Sequence, residues 1–284
     1  MTPVLDREEY IEQTYFFRVL RERVEENSPT QTVLEHMPEE LLSITRLPIA
    51  VGFLATEIKH TGLLSSGFAK LGHYFTPFQA FIIAATEDEN ARFSIDIALL
   101  ILEREARYRS ATPSPQGLFV YQFEALSRNR LGYDEGLERM KGDAIYDADW
   151  RGFLDMTRRQ IGVFDFGDLI YARSELYVRE QRRQLPDYAP PAPPLFGEKE
   201  GKIARANRGR DPLYLFAALQ RQLGYPEVPR AKPKDDPLTL IGQMRDKIRQ
   251  LEQRLHLVES EVRGSIDLSE FIKKPDLLPP LDFD

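Results

Sequence analysis

Apolar residues recur along most of this chain with the period of an α-helix. In the segment Asp6–Glu26, Ile11, Tyr15 and Val19 are spaced four apart, which predicts an amphipathic helix. No segment shows the alternation of period two that is typical of paired strands. Residues 1–185 are therefore predicted to form an all-α domain.

Capping residues predict where several of these helices begin and end. Thr76, Pro77 and Gln79 have the spacing of a capping box with proline at the first helical position, and this helix should reach about Glu87. Further helical patterns begin after Leu47, Ser94 and Ser114, the last ending near Gly132, and two more cover about 148–160 and 166–184.

The composition changes at residues 186–236. Five prolines between Pro186 and Pro194 cannot continue a helix and favour an extended backbone, so this part is predicted to be a linker or a strap lying on the domain. The connector is also basic, with nine Lys or Arg between Lys199 and Lys234. A short helix at about 211–223, which carries apolar residues, is predicted to dock on another part of the protein.

The most regular pattern in the chain predicts a coiled coil over residues 237–264. Apolar residues alternate at spacings of three and four through three heptads, as the a and d positions of a coiled coil do. These positions are Ile241, Met244, Ile248, Leu251, Leu255, Val258 and Val262.

Charged residues beside these positions indicate how two such helices would pair. In a parallel, in-register pair, Lys247 would face Glu252 of the partner helix, and Arg254 would face Glu259. Both pairs have opposite charges, so the sequence predicts a parallel homodimer. The alternative is a single amphipathic helix that docks on its own domain.

The last segment, residues 265–284, combines acidic residues with Ile, Leu and Phe. This composition cannot form a core of its own, so the segment is either a frayed terminus or a short segment that orders on a protein partner. The N-terminus lacks a basic start followed by an apolar run, and no apolar run approaches the ~20 residues of a membrane-spanning helix. We therefore expect a cytoplasmic protein without a membrane partner.

Two residues on one helical face are candidates for metal chemistry. Glu57 and His60 are three residues apart, a spacing that resembles the Glu-x-x-His element of four-helix di-iron carboxylate proteins. Such sites need this element twice, and no other histidine here follows a glutamate at that spacing. Glu124, within an apolar run, is a possible third ligand. This arrangement would hold iron, manganese or zinc and defines an alternative function as a metal-dependent helical enzyme.

The amino-acid composition limits which functions the protein can have. The absence of cysteine excludes disulfides and thiolate ligands, and the formal charge of −7 disfavours general binding of nucleic acid. The basic connector, with Tyr214, Phe216 and Tyr225, is nevertheless a third candidate, for association with single-stranded nucleic acid by charge and stacking. The function predicted first is a non-enzymatic interaction or scaffold protein that self-associates through its coiled coil.

Overall fold

The structure is a computed structural model that describes residues 4–88, 93–111 and 113–230, together with residues 245, 247–249, 251 and 255. Within these ranges it contains thirteen α-helices, one short 3-10 helix and no strand, so the predicted all-α class is confirmed. None of the described helices has the length and apolar character needed to cross a membrane.

The helices are α1 (Arg7–Glu25), α2 (Thr30–His36), a 3-10 helix (Met37–Glu39), α3 (Leu47–Thr61), α4 (Leu64–Lys70), α5 (Pro77–Glu87), α6 (Ile95–Ser110), α7 (Pro115–Asn129), α8 (Tyr133–Met140), α9 (Ala148–Gln160), α10 (Phe166–Ala172), α11 (Glu175–Gln184), α12 (Glu198–Ala206) and α13 (Pro212–Leu223). The longest fully described connection between two helices covers residues 185–197.

Helices with strong sequence signals lie close to their predicted positions. The capping box before α5 is present, because Thr76 Oγ1 accepts a hydrogen bond from Gln79 N and the Gln79 side chain accepts one from Thr76 N. Similarly, α9 covers the predicted residues 148–160. The short helices α2, α4, α8 and α12 were not predicted, because seven to nine residues give too few helical repeats to detect.

The predicted helix over residues 166–184 is wrong, since the chain forms two helices there. The Ser174 hydroxyl accepts a hydrogen bond from Tyr177 N and so caps α11, while α10 has already ended at Ala172. The end of α7 also differs from the prediction. Arg130 has a positive φ of 56° and ends this helix, whereas Gly132 is the residue before α8.

Aromatic side chains fill the core in two groups. In the first, α1 contributes Phe16 and Phe17, whose rings lie next to each other, and Phe17 also lies close to Phe68 of α4 and to Phe75. A second group surrounds Phe119 of α7, and its other members are Phe123, Trp150, Phe153, Phe166, Phe196 and Phe216. Because these rings come from α7, α9, α10, α13 and the segment before α12, their burial joins distant parts of the sequence.

The chain divides into two compact units, Met1–Ala231 and Lys232–Asp284. The sequence suggested a domain boundary near residue 185, but residues 186–230 lie in the first unit, where Phe196 and Phe216 are almost completely buried. The proline-rich segment is fixed at its end, because Arg173 Nη2 donates to the Pro193 carbonyl oxygen and Gln116 Nε2 donates to that of Leu195. The segment is therefore a strap on the helical domain.

Candidate functional site

Three apolar residues of the predicted coiled coil lie in helical backbone and are exposed. Ile248, Leu251 and Leu255 have 55%, 57% and 61% of their surface open. Their spacing of three and four residues places them on one face of a helix. The charged residue Lys247, at the adjacent g position, is exposed as well.

The remaining predicted coiled-coil residues lie outside the described part of the chain. They are Ile241, Met244, Glu252, Arg254, Val258, Glu259 and Val262. The pairing of Lys247 with Glu252 and of Arg254 with Glu259 in a second copy stays a prediction. A helix that exposes a row of branched apolar side chains can lower its free energy by packing that row against another helix.

Glu57, the first candidate metal ligand, takes part in an ion pair between α3 and α4. Its Oε2 atom is 2.6 Å from Lys70 Nζ and 3.3 Å from Ser66 Oγ. The hydrogen bond from Lys70 lowers the pKa of the Glu57 carboxyl below its ordinary value. His60 lies one turn further along α3, and its side chain is exposed to solvent.

Glu124, the possible third ligand, is buried and has different partners. Its Oε1 atom accepts a hydrogen bond of 2.5 Å from Arg128 Nε, and its Oε2 atom accepts one of 2.8 Å from Tyr225 OH. Burial raises the pKa of the Glu124 carboxyl, although these two partners favour its charged form. Across the described ranges, no three His, Asp or Glu side chains are grouped closely enough to hold a metal ion.

The basic connector exposes fewer aromatic rings to solvent than we predicted from its sequence. Phe216 and Tyr225 are 1% and 3% exposed, so neither ring face is available to stack on a base, whereas Tyr214 is 66% exposed. Two of the connector's arginines are also paired with carboxylates, Arg205 with Glu180 and Arg208 with Asp168. The prediction that these three aromatic rings stack on bases is therefore wrong for Phe216 and Tyr225.

A buried polar cluster connects α6, α7 and the loop before α9, and the sequence analysis missed it. Glu105 Oε1 accepts hydrogen bonds from Arg109 Nη2 at 2.8 Å and from Gln122 Nε2 at 2.7 Å. Arg109 also contacts Asp143 Oδ2, and Tyr146 OH donates to the Gln122 side chain at 2.8 Å. All of these side chains are almost completely buried.

The carboxyl groups of Glu105 and Asp143 both pair with the guanidinium of Arg109 in this cluster. Burial raises the pKa of the Glu105 carboxyl, and the nearby positive charge of Arg109 opposes that effect. Glu105 Oε2 accepts no hydrogen bond within the described structure. The Glu–Arg spacing of four residues inside an apolar helix was the available signal, but Arg104 and Arg107 make the buried partner hard to identify from sequence.

A cleft on the outer side of α5 is another concave feature of the first unit. It encloses about 360 Å³, and Phe68, Phe75 and Phe81 contribute to its apolar floor. The i,i+4 ion pair between Glu135 and Arg139 of α8 lies at its edge. Apart from this ion pair and the hydroxyl groups of Ser65, Ser66 and Thr76, the residues that line the cleft are apolar.

No protein family model, no curated protein and no solved structure matches this chain.

Proposed function

We propose that this protein is a non-enzymatic scaffold that self-associates through a parallel, two-stranded coiled coil formed by residues 237–264. The observation that supports the proposal best is the exposure of Ile248, Leu251 and Leu255 on helical backbone. In a pair of such helices, each of these side chains would insert between four residues of the partner.

Pairing would bury apolar area that is open in the single chain. Branched or long apolar side chains contribute roughly 1.5–3 kcal/mol each when they are fully buried, so seven predicted core positions in each helix provide a substantial driving force. The charge pairs Lys247–Glu252 and Arg254–Glu259 would favour the parallel orientation of the two helices. They would add little to the stability of the dimer, because exposed ion pairs contribute little free energy.

The function of such a dimer would be bivalent presentation of the two helical units. Joining two binding units raises the effective concentration for a second contact to the millimolar range when the linker is short. We further propose that the acidic and apolar tail, residues 265–284, orders on a protein partner, and that the protein acts in the cytoplasm.

Solution mass tests self-association directly. Light scattering on the full chain should give about twice 32.8 kDa, and the double substitution Leu251→Lys with Leu255→Lys should give 32.8 kDa. In a paired coiled coil, each introduced lysine would face the same lysine of the partner helix. The two positive charges would repel each other and would lose their water, so the dimer should dissociate.

The matched control adds the same charges outside the predicted core. Gln253→Lys and His256→Lys occupy heptad positions f and b, and this double variant should remain dimeric. Circular dichroism should show that both double variants keep the helical content of the first unit. A wild-type mass of 32.8 kDa, or a dimer that survives lysine at Leu251 and Leu255, would contradict the proposal.

A further inference from the structure

A pocket beside the first turn of α1 is lined by two arginines and by no carboxylate of the described residues. It encloses about 210 Å³. Arg7 and Tyr10 of α1 and Arg109 of α6 supply its polar side chains. We call this cavity the α1 pocket. Its apolar walls consist of Val4, Leu5, Pro113 and Ile145.

Arg109 has one guanidinium nitrogen that the core does not use. The side chain is almost completely buried. Its Nε and Nη2 atoms donate to Glu105 Oε1 at 3.2 and 2.8 Å, and Nη2 also contacts Asp143. Across the described ranges, Nη1 has no acceptor. A donor that lacks an acceptor in a buried site costs free energy, so an acceptor that enters the pocket would stabilise Arg109.

Tyr10 and Arg7 add donors to the same pocket. Arg109 Cζ lies 5.9 Å from the centre of the Tyr10 ring. The Tyr10 hydroxyl accepts a hydrogen bond of 3.2 Å from Leu5 N, which leaves its proton to donate. Arg7 is exposed and its Nε donates to the Ser110 carbonyl oxygen at 3.0 Å, but its terminal nitrogens form no ion pair with any described residue. The pocket therefore suits a ligand that carries acceptor atoms.

The charges around the α1 pocket favour a ligand with a single negative charge. Glu105 and Asp143 contact Arg109 within the core, and two ionised carboxylates there would oppose an anion. Burial raises the pKa of the Glu105 carboxyl and so favours its neutral form. Asp143 then balances Arg109, and the positive charge of Arg7 is left to pair with one negative charge.

We propose that the α1 pocket binds a small organic monocarboxylate with an apolar body. Arg7, Arg109 and Tyr10 hold the carboxylate by hydrogen bonds, and the apolar walls contact the body. A cavity of about 150 Å³ can hold benzene, so this pocket of about 210 Å³ fits a ligand of about the size of benzoate. The site is independent of the coiled coil, because every residue that lines it lies in the first unit.

Calorimetric titration of the full chain with benzoate, cyclohexanecarboxylate and pentanoate tests the proposal. The titrations are made at mildly acidic pH, where these ligands are still ionised. We expect at least one of them to bind once per chain with a dissociation constant of about 1 mM or lower. Benzyl alcohol has the ring without the charge, and inorganic phosphate has charge without an apolar body. Each should bind at least about tenfold more weakly.

Two substitutions at exposed positions test whether the ligand lies in this pocket. Arg7→Gln removes one charged donor and should weaken binding by about fivefold or more. Val4→Glu introduces a carboxylate that repels the ligand and competes for the arginines, so it should weaken binding by about tenfold or more. Val4 is 63% exposed, and both variants should keep the melting temperature of the wild type.

Arg18→Gln is the matched control. Arg18 is an exposed arginine of the same helix that does not line the pocket, so this variant has the same net charge as Arg7→Gln. It should bind the ligand as the wild type does.

Each part of the proposal can fail separately in these titrations. If none of the three carboxylates binds, the proposal is overturned. Equal affinities for benzoate and benzyl alcohol, or for benzoate and phosphate, would also overturn it, because the site would then not select a carboxylate with an apolar body. Equal losses in Arg7→Gln and Arg18→Gln, or no loss in Val4→Glu, would show that the ligand does not bind in the α1 pocket.

Discussion

Arg109 of α6 forms an ion pair with Asp143, 34 residues later, inside the protein core. The two side chains are 3% and 4% exposed, and the guanidinium also contacts Glu105, one turn earlier on the same helix. A charge is costly to bury unless opposite charges and hydrogen bonds surround it. The pair therefore fixes the loop between α8 and α9 against α6.

Removing the positive charge should destabilise the first unit strongly. We expect Arg109→Met to lower the free energy of unfolding by about 3–5 kcal/mol, because Glu105 and Asp143 would remain buried without a counter-charge. Urea denaturation followed by circular dichroism measures this change. Arg107→Met is the control, since Arg107 is 59% exposed in its pair with Glu103 and should contribute less than about 1 kcal/mol. Equal effects of both substitutions would contradict this account.

The buried carboxyl of Glu105 should make stability depend on pH. The pKa of this carboxyl is raised in the folded state by burial. Its contribution to the free energy of unfolding is therefore fully present below the unfolded pKa of about 4.5, and it is lost as pH rises through the folded pKa. Glu105→Gln cannot ionise. We expect wild-type protein to lose stability relative to this variant as pH rises above about 4.5, by at most about 1.4 kcal/mol per pH unit.

Glu57 provides a control of opposite sign for the pH experiment. The pKa of Glu57 is lowered by its hydrogen bond with Lys70, so its contribution is present above the unfolded pKa and is lost as pH falls. The stability difference between wild type and Glu57→Gln should therefore shrink on acidification. If both variants showed the same trend with pH, the assignment of a raised pKa to Glu105 would be wrong.

The hydroxyl of Tyr225 should hold the end of the first unit in place. It donates to Glu124 Oε2 at 2.8 Å and lies 3.0 Å from the Phe216 carbonyl oxygen, in a buried position. Tyr225→Phe should lower the free energy of unfolding by about 1–3 kcal/mol, because it removes the hydroxyl donor from buried acceptor atoms. Hydrogen exchange should show faster opening of α13. Tyr214→Phe, at an exposed ring, should change neither quantity.

Metal content tests the alternative in which Glu57 and His60 act as ligands. Glu57 is already paired with Lys70, and Glu124 is paired with Arg128 and Tyr225, so a metal would have to displace these partners. We expect protein purified without an affinity tag or chelator to contain far less than about one metal ion per chain by elemental mass spectrometry. About one iron, manganese or zinc per chain, lost on Glu57→Ala, would instead support a metal-dependent enzyme.

Local signals in the sequence were sufficient for the longer helices. Thr76 and Gln79 define the start of α5 because a capping box depends only on residues three apart. The proline-rich segment was correctly predicted to be non-helical for a similar reason, since proline blocks helix continuation wherever it occurs. The break at Ser174 was missed, because serine also occurs within helices. Here the backbone beside it bonds to the strap, since Glu175 N donates to the Phe196 carbonyl oxygen and Leu195 N donates to that of Arg173.

The sequence by itself determined the all-α class, the main helix starts and the heptad pattern of residues 241–262, since each depends on spacings within one segment. Only the tertiary structure decided that Phe216 and Tyr225 are core residues and that Glu124 binds Tyr225. It also decided that Arg109 lies between two buried carboxylates. These outcomes depend on contacts between residues up to 101 positions apart, and the burial that creates them is a property of the packed helices and not of any one segment.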